Sequence, residues 1–291
     1  MPPSLATQRA ELRERLRGAG LDADTFLGLA RVGARLLPSS DAPGRSRLGG
    51  LPELPSGSAW PEHAGRPLMF TARVDLDELA AVLPADDRQG LPASGDLWLF
   101  TDALGLAWGF LPEDRGSFVL IHTEGEHPPV DAPAGRDEDG DPFATAVDAR
   151  SCRLVPELVL PDPYEDGVDL LDDGARFDAY TDLDEQLNRE WFDDAPRHRI
   201  LGRPTLVQGS MELEAQLASN GIDVGGPEGY ASAEAERLKA GAADWTLVAQ
   251  IDSDDDTGFM WGDVGLVYWW MRREDLAAGR WQGVWGILQC S

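Results

Sequence analysis

The chain has 291 residues, 42% of them hydrophobic, enough for a sizeable core in one large domain or two closely packed halves. Its formal charge is −27, from 52 acids against 25 bases, a field that repels DNA, RNA and anionic membranes and attracts cations or basic proteins. No run of about 18 uncharged apolar residues occurs, the Met1-Pro2-Pro3 start lacks the basic-then-apolar pattern of a secretory signal, and Cys152 and Cys290 suggest neither a disulfide framework nor a zinc knuckle, so a cytoplasmic protein is expected.

Charge is uneven: residues 1–47 hold eight arginines against five acids, whereas Asp162 to Asp194 hold thirteen acids and two arginines. Residues 4–17 read as a helix with Leu5, Leu12 and Leu16 on one side and Arg9, Arg13 and Arg17 on another. A second helix is predicted from Asp24-Thr25 through Phe26, Leu29, Gly33 and Leu37 to Pro38, making 1–47 a helical segment ahead of one globular unit over 48–291. The prolines and glycines of Leu48 to Pro61 forbid helix interior and central strand, so an ordered loop is expected there. Strands follow at 68–74, 95–101, 105–111 and 117–122 as an antiparallel meander, with a hairpin turn at Asp102 to Gly105. Residues 125–143 read as a surface excursion and Arg150 to Leu160 as a strand. Phe177, Tyr180, Leu183, Leu187 and Trp191 make the apolar stripe of a helix in the acidic block. Small helices at 211–219 and 231–240 precede strands at 245–252, 265–271 and 281–289.

The run Met69-Phe70-Thr71-Ala72-Arg73-Val74-Asp75 is echoed by Thr246-Leu247-Val248-Ala249-Gln250-Ile251-Asp252, and each leads through a Gly into an aromatic strand, 95–100 and 265–270. The fold class that follows is α+β, mainly antiparallel sheet with an internal duplication and peripheral helices. The copies differ in their connections, and the second spends its connection on Asp252 to Asp263.

The loop Gly49-Gly50-Leu51-Pro52 with Leu54-Pro55 and Trp60-Pro61, then His198, Leu201-Gly202, Pro204, Gln250-Ile251-Asp252-Ser253-Asp254, Met260-Trp261-Gly262-Asp263 and Trp285 to Cys290, occur in an order that resembles the YwqG-like family of bacterial proteins of unknown function. The resemblance covers roughly residues 48–290 and implies a mixed α and β fold with an internal duplication and no established activity. Arg73 departs from it, standing where the pattern resembles the Gln seen at 250.

Chemistry is expected at the Asp252 to Asp263 bend. Asp252, Asp254, Asp256 and Asp263 are oxygen donors spaced for a divalent cation, although Thr257 takes the place where a calcium loop needs its sharp turn. Gln250, Asp252, Trp261 and His198 are candidates for a small polar ligand, the amide and carboxylate bonding its edge and the indole walling its face. Arg197, His198, Arg199 and Arg203 form a basic island suited to an oxyanion or to the neighbouring acids. No nucleophile elbow, Walker loop, zinc-protease helix or dinucleotide fingerprint occurs, and no cofactor is called for. Sequence alone therefore favours a binding or inhibitor-like protein that takes a small polar ligand or a basic protein partner, with a metal-assisted hydrolase of a small polar substrate at the bend as the alternative.

Overall fold

Runs of apolar and aromatic residues six to ten long pair side by side in a computed structural model that describes residues 2–39, 44–165 and 174–291. In chain order the strands are β1 (Arg31–Pro38), β2 (Arg47–Leu48), the short ribbon β3 (Glu62–His63) and β4 (Arg66–Pro67), β5 (Met69–Asp75), β6 (Asp96–Thr101), β7 (Phe118–Thr123), the ribbon β8 (Gly135–Arg136) and β9 (Pro142–Phe143), β10 (Arg150–Val159), β11 (Arg199–Leu201), β12 (Trp245–Asp252), β13 (Leu266–Arg272) and β14 (Trp285–Gln289). Apart from the two ribbons they form one ten-stranded sheet in the order β14-β13-β12-β11-β1-β10-β2-β5-β6-β7. All of its pairs are antiparallel, and the fold is mixed α and β.

The register is the same on both sides of the β1–β10 pair. Arg35 of β1 faces Arg199, which faces Gln250, then Tyr268 and Ile287. Ser151 of β10 faces Arg47, then Arg73, Trp98 and Ile121. Even the bulge recurs, between Leu247 and Ala249 in β12 and between Phe70 and Ala72 in β5. Arg35 and Ser151 each lie two residues from the Leu37–Arg153 pair, on opposite strands, so residues are matched across the halves by their place in the ladder.

The sheet curls until its outer strands touch. A Cβ added at Gly286 of β14 would lie 1.8 Å from the ring of Phe118 on β7. Phe118 also meets Trp269 edge-on at 5.2 Å. Inside the curl, Ala72, Val74, Leu97 and Leu99 of one half pack with Ala249, Ile251, Val267 and Trp269 of the other. Outside it, helices α1 (Leu5–Gly18), α2 (Ala23–Leu29) and α4 (Gly174–Phe192) cover β1 and β10 through Leu12, Leu16, Phe26, Leu183 and Leu187, while α3 (Leu76–Val82) packs Leu76 and Leu79 into the inner cluster. Trp269 and Trp270, adjacent in sequence, point to the inner and outer clusters respectively, as strand alternation requires.

Two expected elements differ. The second helix stops at Leu29, and Arg31–Pro38 is a central strand. Its run of five buried residues, covered on both faces, lacks the alternation that would have marked it as a strand. Residues 105–111 are a loop, because the Asp102 carboxylate accepts from the amides of Leu104, Leu106 and Ala107 and turns the chain out of the sheet. That loop then runs along the β14 edge, where Trp108 O accepts from Leu288 N–H at 3.2 Å. Among the described residues, no helix is long and apolar enough to cross a membrane.

Candidate functional site

Ten residues before β5 and ten before the turn into α5 (Glu212–Ser219) are folded alike: Arg45-Ser46-Arg47-Leu48-Gly49-Gly50-Leu51-Pro52-Glu53-Leu54 and Arg197-His198-Arg199-Ile200-Leu201-Gly202-Arg203-Pro204-Thr205-Leu206. Gly49 and Gly50 have φ of 60° and 81°, and Leu201 and Gly202 have 58° and 85°. This left-handed pair turns the chain sharply so that the next residues fold back over the strand. A clasp then fixes the turn. In the first half Arg73 forks Asp96 at 2.8 and 3.0 Å and reaches Glu53 at 3.0 Å. In the second, Gln250 accepts from Thr205 N–H at 2.9 Å and donates to Arg197 O at 2.7 Å and Thr205 Oγ1 at 3.2 Å. Leu266 stands where Asp96 does, so the amide has no buried carboxylate to neutralise.

His198 sits at the position of Ser46 and does its work. Ser46 Oγ accepts from Asp75 N–H at 3.0 Å, and His198 Nδ1 accepts from Asp252 N–H at 3.1 Å. The histidine proton therefore lies on Nε2, which donates to Asp254 Oδ2 at 3.4 Å. That bond, the largest influence, holds the Asp254 carboxyl below the usual carboxylate range. Asp252 accepts from Arg197 N–H at 2.7 Å. Trp261 is buried, stacks on Phe259 at 5.1 Å and donates to Asp252 O at 3.2 Å. Gln250, Asp252, Trp261 and His198 are thus brought together, and their polar atoms bond to the protein itself.

The four aspartates of the bend diverge. Asp254 turns inward to His198, Asp252 to the Arg197 amide, Asp256 outward to Arg150 at 3.6 Å, and Asp263 into solvent. Among the described residues no group of three or more His, Cys, Asp or Glu side chains is set to hold a metal ion. The basic island is likewise turned inward: Arg197 pairs with Asp184 at 2.7 Å and Arg199 with Glu157 at 2.7 Å. Burial opposes ionisation of Glu157, but Arg199 and Arg35 outweigh it and bring the carboxyl to about 2.

What the bend leaves open is a cleft between the halves. Its tip, Asp255 to Gly258, faces Gly50, Leu51 and the segment 146–150 across a hollow of about 800 Å3. A smaller hollow of about 480 Å3 shares Arg150 and Asp256 with it and continues to Pro38 and Ser151. Asp148, Asp255 and Asp256 are exposed along the larger hollow, with Arg150 as its one base among the described residues. The wall is rigid where it matters, since Gly50 N–H donates to Val147 O at 2.8 Å and a Cβ at Gly49 would lie 2.6 Å from Asp148 O. Asp255 lies within the bend that the sequence singles out, whereas Asp148 and Arg150 carry no signal as site residues; aligning 45–54 with 197–206 places the turn that walls them.

Residues 46–290 match a family model described as a domain of unknown function (DUF1963). No curated protein matches the chain.

Proposed function

The chain belongs to the DUF1963 family of unknown function, and from that premise we propose that it is a binding protein that receives a basic segment of a protein partner in the cleft beside the Asp252–Asp263 bend. The chain also resembles the YwqG-like family, whose function is likewise unknown. The observation that carries the reading is the hollow of about 800 Å3 on which Asp148, Asp255 and Asp256 face, among the described residues, a single base, Arg150. The Arg150–Asp256 pair is exposed, 42% and 81% at the side chains, so it is worth little and yields readily to an incoming guanidinium or ammonium group. Leu51 on the same wall is part-exposed and gives the stem of a lysine or arginine an apolar surface. The charge of −27 steers a basic partner toward the protein and accelerates encounter.

A small polar ligand at Gln250, Asp252, Trp261 and His198 has less support, because those groups hold one another. The hydrolase reading gains none from four carboxylates that point apart.

The test is fluorescence anisotropy with a labelled arginine- and lysine-rich peptide. Saturable binding that weakens steeply with salt supports the proposal, provided Asp148→Asn/Asp255→Asn/Asp256→Asn abolishes it while melting is unchanged. Equal binding by wild type and the triple variant removes the cleft as the site.

A further inference from the structure

At the end of β12 remote from the bend lies a hollow of opposite character, about 220 Å3, where the start of β1, the turn after β11, the start of β12 and the end of β13 meet. Three guanidinium groups line it, from Arg31, Arg203 and Arg273. In a chain with 52 acids to 25 bases, neither Arg31 nor Arg273 is paired with a carboxylate among the described residues. Arg31 donates to Leu29 O and Ala30 O at 3.4 Å each, and Arg273 donates to Ala243 O. Arg203 donates to Leu29 O at 2.7 Å and pairs with Glu165. Three arginines face Glu165 and Glu212 here, and the adjoining hollow of about 560 Å3, which shares Arg31 and Arg273, adds the carboxylates of Asp86 and Asp87.

One wall is Trp270, 1% exposed, whose Nε1 has no hydrogen-bond partner among the described residues. A buried N–H without an acceptor is a standing cost that a bound oxygen removes. We propose that this hollow binds a small organic anion through its carboxylate or phosphate on Arg31 and Arg273, with an oxygen of the ligand as the acceptor that Trp270 Nε1 lacks. Planar guanidinium forks match both oxyanions. At roughly 30 Å3 per water the hollow displaces about seven waters, which suits a ligand of on the order of ten non-hydrogen atoms. The inference is independent of the acidic cleft, which lies beyond the opposite end of β12.

The full chain is titrated at constant ionic strength with benzoate, phenyl phosphate and neutral benzamide, read by calorimetry and by tryptophan fluorescence. One-to-one saturable binding of benzoate or phenyl phosphate, with benzamide about tenfold or more weaker, is expected, and the tighter of the two anions assigns carboxylate or phosphate. Arg31→Gln and Arg273→Gln, both at exposed positions, each lower that affinity by about tenfold or more with unchanged melting. Arg17→Gln on α1 leaves it unaltered. Absence of saturable binding by both anions, equal binding of benzamide, undiminished affinity in the two arginine variants, or an equal loss in Arg17→Gln overturns the proposal.

Discussion

Arg73 and Gln250 occupy matched places in the two ladders, yet one is a charge and the other an amide, and the difference can be exchanged. In Arg73→Gln the fork on Asp96 is lost, and among the described residues Asp96, 3% exposed, keeps only the more distant and half-exposed Arg45 at 3.6 Å. Leaving a buried charge without its partner costs about 3–5 kcal/mol. Adding Asp96→Leu copies the arrangement of Gln250 beside Leu266, removes the stranded carboxylate and leaves the new amide facing Glu53 as Gln250 faces Thr205. The double variant is therefore more stable than Arg73→Gln, with a coupling energy of about 2 kcal/mol or more. Urea denaturation followed by tryptophan fluorescence measures it, with equal m-values as the check on two-state behaviour. If Asp96→Leu gives no recovery in the Arg73→Gln background, so that the two losses simply add, the matched-clasp argument fails.

Glu157 lies between Arg35 and Arg199, and Glu157→Gln leaves both guanidinium groups buried without their carboxylate, a loss of about 3–5 kcal/mol near neutrality. Its folded carboxyl titrates at about 2, below the ordinary range near 4.3, so its contribution is complete above that range and disappears as pH falls toward about 2. Urea midpoints of wild type and Glu157→Gln should accordingly converge as pH is lowered from about 6 to about 3; a constant gap contradicts the pairing. Closure of the sheet predicts that Gly286→Ala, whose new methyl meets the Phe118 ring, destabilises by about 1–3 kcal/mol, and that Phe118→Leu in that background restores part of the melting temperature.

Much of the sheet was legible because its strands are long and written twice. The echo of 69–75 in 246–252 located both halves, and the Leu183, Leu187 and Trp191 stripe located α4. β1 was not legible, since both faces are covered and Ala34, Leu36 and Leu37 fit a helical period as well as a strand. The bend is visible in the sequence as the place where the halves differ in their connections, but which of its carboxylates face outward depends on what each meets in the fold. His198 takes Asp254 and the Arg197 amide takes Asp252, contacts 56 and 55 residues apart in sequence. Arg150 and Asp148 come from a strand and loop about a hundred residues earlier, with no local pattern to connect them to the bend.

Amide chemical-shift mapping of the isotopically labelled chain during titration with the basic peptide tests the central proposal most directly. The account predicts that shifts concentrate at residues 48–51, 146–150 and 254–258, on both walls of the cleft. Shifts that instead gather on the exposed acids of α4, or spread evenly over the surface, would mean that the peptide follows net charge alone and that the cleft is not its site.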